Sequence, residues 1–308
     1  MEGKLKKNIL ITGARGFIGR NLAENLSKRY KIYDPPHKDL ELLDEEAVRR
    51  YIQRNKINIV IHCANVGGGR DTVGRPSVIY ENLRMFFNIA RNLDYLEKMI
   101  YFGSGAEYDK SQPLIGIKES DFDRQIPKDD YGFAKYVCSK FTENSSKIIA
   151  LRLFAVFGKY ENCYFKFISN SIVKNILNLP IVIAQNVYFD FLYIDDFIKI
   201  TEHFIVNKTR SKIFNVANGK KVDLITIANI INIIGKTKSK IIVKNPGLNK
   251  EYTANISLLK REIPNIKFTP IKNATMELYN WYEKNIDKID KEKIVRDEYL
   301  KFTKVNKK

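Results

Sequence analysis

Short apolar runs rich in β-branched residues alternate with amphipathic stretches along the first half of the chain. Each run has the length and composition of a buried strand. Strands that alternate with helical stretches are typical of a parallel sheet covered by helices on both faces. The pattern therefore predicts a doubly wound α/β fold. The predicted strands are 8–12, 31–34, 58–63, 99–104 and 148–154.

Between these runs, apolar residues recur at helical spacing and predict helices that pack on the sheet. The predicted helices begin near 17 and cover 45–55, 78–93 and 130–144. After residue 157 the order becomes irregular, which indicates that the chain crosses into a smaller α/β lobe. We predict one domain of residues 1–158 plus 187–217. The second part, 159–186 plus 218–308, would form a substrate-binding lobe with a basic tail.

The composition is that of a globular protein, because 44% of the 308 residues are hydrophobic and 29% are charged. No segment approaches the roughly 20 apolar residues of a membrane helix, so we expect a soluble protein without membrane partners. Three cysteines without a CxxC pair argue against a disulfide framework and favour a reducing, cytoplasmic location. The three histidines lack metal-ligand spacing, so no metal site is predicted.

The net charge of +18 raises the question of nucleic-acid binding, since clustered Lys and Arg neutralise phosphates. Here the basic residues are dispersed and interleaved with acids along the chain. This distribution favours a lysine-rich solvated surface, and no nucleic-acid partner is predicted. A positive field would also attract an anionic small-molecule substrate.

Three glycines at intervals of three, Gly13, Gly16 and Gly19, follow the first predicted strand and open the first predicted helix. Glycines there permit a tight turn and close backbone approach. The helix that follows can present its free N–H groups to a pyrophosphate. The segment therefore predicts a dinucleotide site.

The residues around the second predicted strand bear on the choice between NAD and NADP. An acid there accepts a hydrogen bond from a ribose hydroxyl, whereas a base meets a 2′-phosphate. Asp34 is such an acid, yet Arg15 lies in the glycine loop, and His37 and Lys38 follow closely. We favour NADP as cofactor, with NAD as the alternative.

Tyr131 and Lys135 are four residues apart on a predicted helix, so that both side chains emerge on one face. A nearby ammonium favours the phenolate form of a tyrosine, which suits acid–base chemistry. Ser104 ends the preceding predicted strand, where its hydroxyl can donate to a carbonyl oxygen that also faces Tyr131. The three side chains predict a catalytic set for a carbonyl or hydroxyl group.

These motifs, together with FLYIDD at 191–196, resemble the extended short-chain dehydrogenase/reductases over residues 8–220. The resemblance implies a Rossmann domain, a bound nicotinamide dinucleotide, and Ser104 and Tyr131 at a sugar hydroxyl or ketone. Lys135 would bind the cofactor ribose. Within that family, segments 37–48 and 65–83 are most similar to the GDP-fucose synthase-like nucleotide-sugar 4-ketoreductases.

The resemblance also implies the residues that contact each ligand. Predicted cofactor contacts are Gly13, Arg15, Gly16, Phe17, Ile18, Gly19, Asp34, Ala64, Asn82 and Lys135. Predicted substrate contacts are Gly105, Ala106, Tyr131 and Phe154. Asn82 is expected to position either substrate or cofactor, and His62 is expected to pack beside the cofactor without a catalytic role.

Several positions depart from the family's patterns. Ala106 and Tyr160 replace the cysteine and histidine of the double epimerisation in GDP-fucose synthase. Gly105 and Ala106 replace the Asp-Glu pair of the 4,6-dehydratases, so dehydration is not expected. Ala155 and Phe189 replace an asparagine and an arginine that commonly touch the nucleotide diphosphate.

These observations predict an NAD(P)H-dependent reductase of a nucleotide-activated keto sugar, acting at C4 of a 6-deoxy sugar or heptose in surface-glycan precursor biosynthesis. A C4 epimerase with tightly bound NAD uses the same three residues and is the nearest alternative. A more distant one is a non-catalytic dinucleotide-sensing or nucleic-acid-binding protein, suggested by the net charge. The family implies a homodimer, and the α-helix carrying Tyr131 offers Tyr136, Val137 and Phe141 on its other face.

Overall fold

A computed structural model describes residues 6–72 and 74–306. Its strands are β1 (Asn8–Thr12), β2 (Lys31–Tyr33), β3 (Ile59–His62), β4 (Lys98–Ser104), β5 (Leu114–Ile117), β6 (Ile148–Leu153), β7 (Ala155–Phe157), β8 (Ile181–Asn186), β9 (Tyr188–Phe189), β10 (Phe191–Tyr193), β11 (Ile213–Val216), β12 (Val222–Asp223), β13 (Ile241–Leu248) and β14 (Tyr252–Ala254).

The α-helices of the described residues connect these strands and flank the sheets. They are α1 (Phe17–Leu26), α2 (Glu45–Arg54), α3 (Val78–Ala90), α4 (Asp130–Glu143), α5 (Phe167–Ile176), α6 (Ile194–Val206), α7 (Leu224–Ile234), α8 (Ser257–Glu262), α9 (Ile271–Asn285), α10 (Lys291–Val295) and α11 (Glu298–Lys301). None of the helices within these residues is both long and apolar enough to cross a membrane.

The central sheet has six parallel strands in the order β2-β1-β3-β4-β6-β11. Each of the five predicted strands is present, with ends that differ by one residue at most. The predicted Rossmann-type fold is therefore confirmed. The strand order reverses at β1, between β2 and β3, and ligands of such sheets bind beyond the carboxyl ends of the strands at this reversal.

Alternate residues of β1 enter two different hydrophobic clusters, one on each face of the sheet. Ile9 and Ile11 join the cluster that contains Leu22 of α1, whereas Leu10 joins the cluster that contains Val48 of α2. Successive strand side chains point to opposite faces, so this division shows that helices cover both sides. Full burial of such an aliphatic side chain stabilises the fold by about 1.5–3 kcal/mol.

The second half of the chain forms smaller sheets beside the central one. β8 pairs with β13, β7 with β10, and a four-stranded sheet has the order β12-β9-β14-β5. We call the part built on β8, β13 and the four-stranded sheet the small lobe. Because β5 bonds to β14, residues of the predicted first domain also contribute a strand to this lobe. The exact domain boundaries stay a prediction.

Candidate active site

The glycine loop after β1 lies against the chain that leaves β3. A Cβ atom on Gly13 would lie 2.7 Å from the backbone nitrogen of Ala64, and Gly13 has a φ of +66°. A Cβ atom on Gly19 would lie 2.4 Å from the Gly13 carbonyl oxygen. Because these approaches are between backbones, side chains at these two positions are excluded. Both residues therefore fit the predicted close approach of backbone to a dinucleotide.

The first turn of α1 has the properties of an anion site. Its N-cap is Gly16, no side chain caps it, and the turn contains no acidic residue. The N–H groups at the start of a helix have no partner within the helix and carry a partial positive charge. Phe17 and Ile18, both half-buried, provide this turn together with Gly19. The arrangement fits the pyrophosphate of a dinucleotide.

The residues that would meet the adenosine ribose are exposed. Asp34 directly follows β2, and neither it nor Arg15 forms an ion pair with another described residue. Both groups are therefore available to a ligand. His37 lies 3.0 Å from Glu41, and Lys38 is exposed. These positions fit either NAD or NADP.

Ser104 ends β4 and begins a short 3-10 helix, Gly105–Tyr108, which it caps. Its Oγ accepts the Ala106 N–H at 3.1 Å, and its own N–H donates to Oε1 of Glu107 at 2.8 Å. This reciprocal capping holds Ser104 in place at the sheet edge.

Beneath Ser104 lies a buried ion pair that sequence reasoning missed. Glu107 is 0% exposed and Arg152 is 1% exposed, and Nε of Arg152 donates to Oε2 of Glu107 at 2.5 Å. Arg152 also donates to the hydroxyl of Tyr108, which in turn donates to Asn215. A fully buried pair needs such further hydrogen bonds to offset its desolvation. The network fixes the 3-10 helix that carries the serine.

Tyr131 and Lys135 lie on the first turns of α4, which begins where Asp129 accepts the N–H of Gly132 at 3.0 Å. Lys135 is 4% exposed, and its Nζ donates to the Phe102 carbonyl oxygen at 2.7 Å. Among the described residues no carboxylate pairs with this ammonium. Burial lowers the pKa of Lys135. A buried cation with one acceptor has two donor positions left for a ligand such as a ribose.

The Ser104 hydroxyl lies close enough to Tyr131 to act on its phenol, so the two predicted side chains are neighbours at this edge. Burial raises the pKa of Tyr131 to about 12, and the nearby Ser104 hydroxyl acts in the opposite direction. Its phenol is therefore protonated at neutral pH in the protein without ligands. The Nζ atom of Lys135 lies 5.8 Å from the centre of the Tyr131 ring.

A glycine-rich loop after β3 packs closely against the Tyr131 ring. Gly68 has a φ of +80°, and a Cβ atom there would lie 2.7 Å from Cε2 and Cζ of Tyr131. Asn82 of α3 holds this loop, because its side chain donates to the carbonyl oxygens of Val66 and Val78 at 2.7 Å each and accepts the Val66 N–H at 3.0 Å. Asn82 therefore holds the loop in place, and its contact with substrate or cofactor stays a prediction.

A tyrosine from the small lobe enters the site, and sequence reasoning did not find it. A Cβ atom on Gly105 would lie 2.5 Å from Oη of Tyr252 and 2.8 Å from the Phe154 ring. The Phe154 and Tyr252 rings are 5.0 Å apart. The 4,6-dehydratases of the family that the sequence resembles have an aspartate at the position of Gly105. Its side chain would overlap the Tyr252 hydroxyl and the Phe154 ring here, which is a steric reason for glycine at 105.

Of the remaining positions singled out in the sequence, Ala106 and Phe189 lie near this centre, and Ala155 and Tyr160 take part in other contacts. Ala106 is 1% exposed inside the 3-10 helix, and Phe189 lies 6.1 Å from the ring of Tyr252. Ala155 begins β7 and pairs with β10. Tyr160 lies against α1, with the Arg20 guanidinium 3.7 Å from its ring centre. The histidine position of the double epimerisation is thus used for packing.

His62 behaves as a packing residue. Its Nδ1 lies 2.8 Å from Oγ1 of Thr12 inside the sheet, and its ring stacks on Tyr101. Burial lowers the pKa of His62 to about 3, and the Lys135 charge acts in the same direction, so the ring is neutral at pH 7. Within residues 6–72 and 74–306 no cluster of His, Cys, Asp or Glu could hold a metal ion.

Comparison with known protein families identifies the class that this fold and site define. The model of the NAD dependent epimerase/dehydratase family matches residues 9–217, which include the glycine loop, Ser104, Tyr131 and Lys135. The chain belongs to the NAD dependent epimerase/dehydratase family. The predicted resemblance to the extended short-chain dehydrogenase/reductases is confirmed, and members of this family are NAD(P)-dependent nucleotide-sugar reductases and epimerases.

The individual relatives include both reductases and epimerases. GDP-L-fucose synthase from Azorhizobium caulinodans is 32% identical over 52% of this chain and 55% of its own length. The structure of GDP-mannoheptose C4 reductase from Campylobacter jejuni with NADP bound is similar, with a TM-score of 0.78, 20% identity, and coverage of 91% and 99% of the two chains. The structure of UDP-glucose 4-epimerase from Thermotoga maritima is also similar. Its TM-score is 0.77 at 17% identity, and the match covers 91% of this chain and 99% of the epimerase.

Replacing Gly68 with Ala should impair catalysis without unfolding the protein. The new Cβ must displace the Tyr131 ring, and a misplacement near 1 Å at a reacting group can lower the rate by about 100-fold. We expect kcat to fall toward that limit in steady-state assays. Gly74→Ala is the matched control, since Gly74 has a φ of +78° but open space around a Cβ. Equal losses in both variants would contradict this role of Gly68.

Replacing Glu107 with Ala should destabilise the fold, because it leaves the Arg152 guanidinium buried without its carboxylate. Removing one partner of a buried ion pair costs about 3–5 kcal/mol, and we expect the free energy of unfolding in urea to fall by that amount. Glu97→Gln is the control, as its pair with Lys7 is exposed and should contribute at most about 1 kcal/mol. A loss no larger than the control's would refute the assignment.

Proposed function

We propose that this protein is an NAD(P)H-dependent reductase of a nucleotide-activated keto sugar. One arrangement carries the proposal: Ser104 and Tyr131 are neighbours, and the buried ammonium of Lys135 lies 5.8 Å from the Tyr131 ring centre with no carboxylate partner among the described residues. The three groups lie at the carboxyl edge of the sheet, where the glycine loop after β1 also begins. This is the arrangement needed to reduce a carbonyl next to a dinucleotide.

Tyr131, Ser104 and Lys135 would each have a separate role in the reduction of a carbonyl group. When bound, a reduced nicotinamide dinucleotide supplies the hydride. Tyr131, protonated at neutral pH, donates the proton to the oxygen as it becomes an alkoxide. Ser104 donates a hydrogen bond to the same oxygen and so stabilises its developing charge. The Lys135 ammonium stabilises the phenolate that remains and holds a ribose hydroxyl.

A sugar nucleotide with a ketone at C4 fits the site best, with a 6-deoxy sugar or a heptose as the sugar. Likeness to GDP-L-fucose synthase and to a GDP-mannoheptose C4 reductase supports this class. Ala106 and Tyr160 leave no cysteine or histidine for epimerisation, and Gly105 leaves no room for a dehydratase acid. The net charge of +18 favours an anionic substrate. Such a reaction would serve the synthesis of surface-glycan precursors.

For the cofactor we favour NADP. Arg15 is exposed in the glycine loop without an ion-pair partner among the described residues, so its guanidinium can meet a 2′-phosphate. Asp34 is equally exposed and would serve NAD through a ribose hydroxyl. NAD is therefore the alternative.

A nucleotide-sugar C4 epimerase is the second candidate. It would use Ser104, Tyr131 and Lys135 in the same way but would retain its dinucleotide and return the hydride to the other face of the sugar. The similar fold of a UDP-glucose 4-epimerase and the free carboxylate of Asp34 favour it. Protein purified with one equivalent of bound NAD would support this candidate over the reductase.

We also propose a homodimer in a reducing, cytoplasmic compartment. Two helices offer an apolar surface: Tyr80 of α3 is 63% exposed, and Phe141 of α4 is 42% exposed. Two-helix faces of this kind pair well across a two-fold axis, because each copy presents the same patch. The three cysteines are all free thiols, which suits a reducing compartment.

The proposal is tested by mixing the protein with a panel of nucleotide 4-keto sugars and NADPH or NADH, and following the reduced-nicotinamide absorbance. Tyr131→Phe should lower kcat by about 10²- to 10⁴-fold, because it removes the proton donor. Tyr136→Phe is the matched control on the same helix, since Tyr136 bonds to Asp123 outside the site. Full activity of Tyr131→Phe, or no turnover with any ketone, would contradict the reductase.

A further inference from the structure

Lys110 lies beside Tyr131 and has no part in the proposed reduction. It comes shortly after the 3-10 helix that Ser104 caps, and its Nζ lies 5.5 Å from the centre of the Tyr131 ring. Nζ of Lys135 lies 5.8 Å from the same centre, so two ammonium groups flank one ring. Lys135 is 4% exposed, whereas the side chain of Lys110 is 40% exposed. A ligand that enters from solvent can therefore reach Lys110.

The backbone that carries Lys110 is held from both sides. Asp109 is buried, and its carboxylate accepts the N–H of Ser111 at 3.0 Å and the hydroxyl of Ser111 at 2.7 Å. Nζ of Lys250, from the small lobe, donates to the carbonyl oxygen of Ser111. The turn is thus fixed, while the side chain of Lys110 keeps the freedom of a long flexible stem.

The ammonium of Lys110 is weakly engaged. Its ion-pair partner Asp129 lies 3.6 Å away, beyond the roughly 2.7–3.2 Å of a hydrogen bond. Oδ1 of Asp129 also accepts the N–H of Gly132 at 3.0 Å as the N-cap of α4. Exposed ion pairs of this kind contribute little to stability. Lys110 can therefore leave Asp129 for a stronger anion, to which it offers three N–H donors.

The proposed class of substrate contains such an anion. In a nucleotide sugar the diphosphate is attached to C1, which lies across the pyranose ring from C4. With the C4 oxygen against Tyr131 and Ser104, the diphosphate would lie about one sugar ring away from the tyrosine hydroxyl. Lys110 is an exposed cation at this distance from the ring of Tyr131. Hydrogen bonds from an ammonium to a phosphate are charge-assisted and stronger than neutral ones.

We propose that Lys110 exchanges Asp129 for the diphosphate of the nucleotide sugar when the substrate binds, and that it thereby selects for anionic substrates. This inference rests on the proposed function for the class of substrate. Lysine meets a phosphate as a point charge without fixed geometry, which suits an exchange between two anions. The contact is the same before and during the reaction, so KM should depend on it and kcat should not.

The first experiment measures binding without turnover. The protein is saturated with NADPH, or with NADH if that binds more tightly, so that the dinucleotide site is filled. It is then titrated calorimetrically with GDP, UDP and dTDP. We expect Lys110→Gln to weaken the best of these by about tenfold, the effect of one charge-assisted hydrogen bond, and Lys110→Arg to retain most of the affinity. Equal affinities of Lys110→Gln and wild type for the nucleoside diphosphate, or a matching loss of dinucleotide affinity, would overturn the proposal.

Two further variants separate a local contact from a general effect of charge. The side chain of Lys7 is 41% exposed and pairs with Glu97, much as Lys110 pairs with Asp129. Lys7 precedes β1, at the opposite edge of the sheet, so Lys7→Gln should bind like wild type. Asp129→Asn removes the competing carboxylate and keeps a good N-cap, and should tighten binding about twofold to fivefold. Equal losses in Lys7→Gln and Lys110→Gln, or weaker binding by Asp129→Asn, would refute the role of Lys110.

The second experiment follows steady-state turnover of the best keto-sugar nucleotide. Lys110→Gln should raise KM about tenfold and leave kcat within about twofold of wild type. A fall in kcat at constant KM would mean that Lys110 acts on Tyr131 and would contradict the proposal.

The binding data also separate failure of this inference from failure of the proposed function. If none of the nucleoside diphosphates binds to the wild-type protein, the proposed function is wrong and the inference falls with it. If they bind to wild type and to Lys110→Gln alike, only the inference is wrong.

Discussion

The parallel register of β1, β3 and β4 is the constraint on which the whole site depends. Thr12 pairs with His62, and His62 pairs with Tyr101, so the three strands end at one edge of the sheet. β4 continues beyond Tyr101 and delivers Ser104 past that edge. The glycine loop follows β1 and the serine ends β4 at this edge, and α4, which comes after β5 of the small lobe, brings Tyr131 to the same place. A one-residue slip would turn Ser104 to the other face of the sheet.

Within this frame, burial controls the chemistry of the ionisable groups. The same dry surroundings lower the pKa of Lys135, raise that of Tyr131 to about 12, and keep His62 neutral. A protonated tyrosine beside a buried ammonium is ready to give a proton to an alkoxide. These protonation states are the ones that the proposed reduction requires, and a bound dinucleotide would provide the acceptors that Lys135 lacks.

The sequence predicted the parts of the site that depend on local spacing. The glycine triplet, the pair Tyr131 and Lys135, and the strand that ends at Ser104 are short-range patterns, and the structure brings them together. Contacts between distant segments could not be predicted. Three such contacts depend on how distant segments pack in the whole fold: the Glu107–Arg152 ion pair, the packing of Gly68 against the Tyr131 ring, and the position of Tyr252 beside Gly105. A single tyrosine in the small lobe has no local sequence pattern that would identify it as part of the site.

Isotope transfer distinguishes net reduction from epimerisation most directly, because it follows the hydride itself. The protein would be given a nucleotide 4-keto sugar and dinucleotide deuterated at the transferable position of the reduced ring. Net reduction should place one deuterium on the carbon that held the ketone, with one equivalent of oxidised dinucleotide for each sugar reduced. An isomerised sugar without deuterium, formed with no consumption of added dinucleotide, would contradict it.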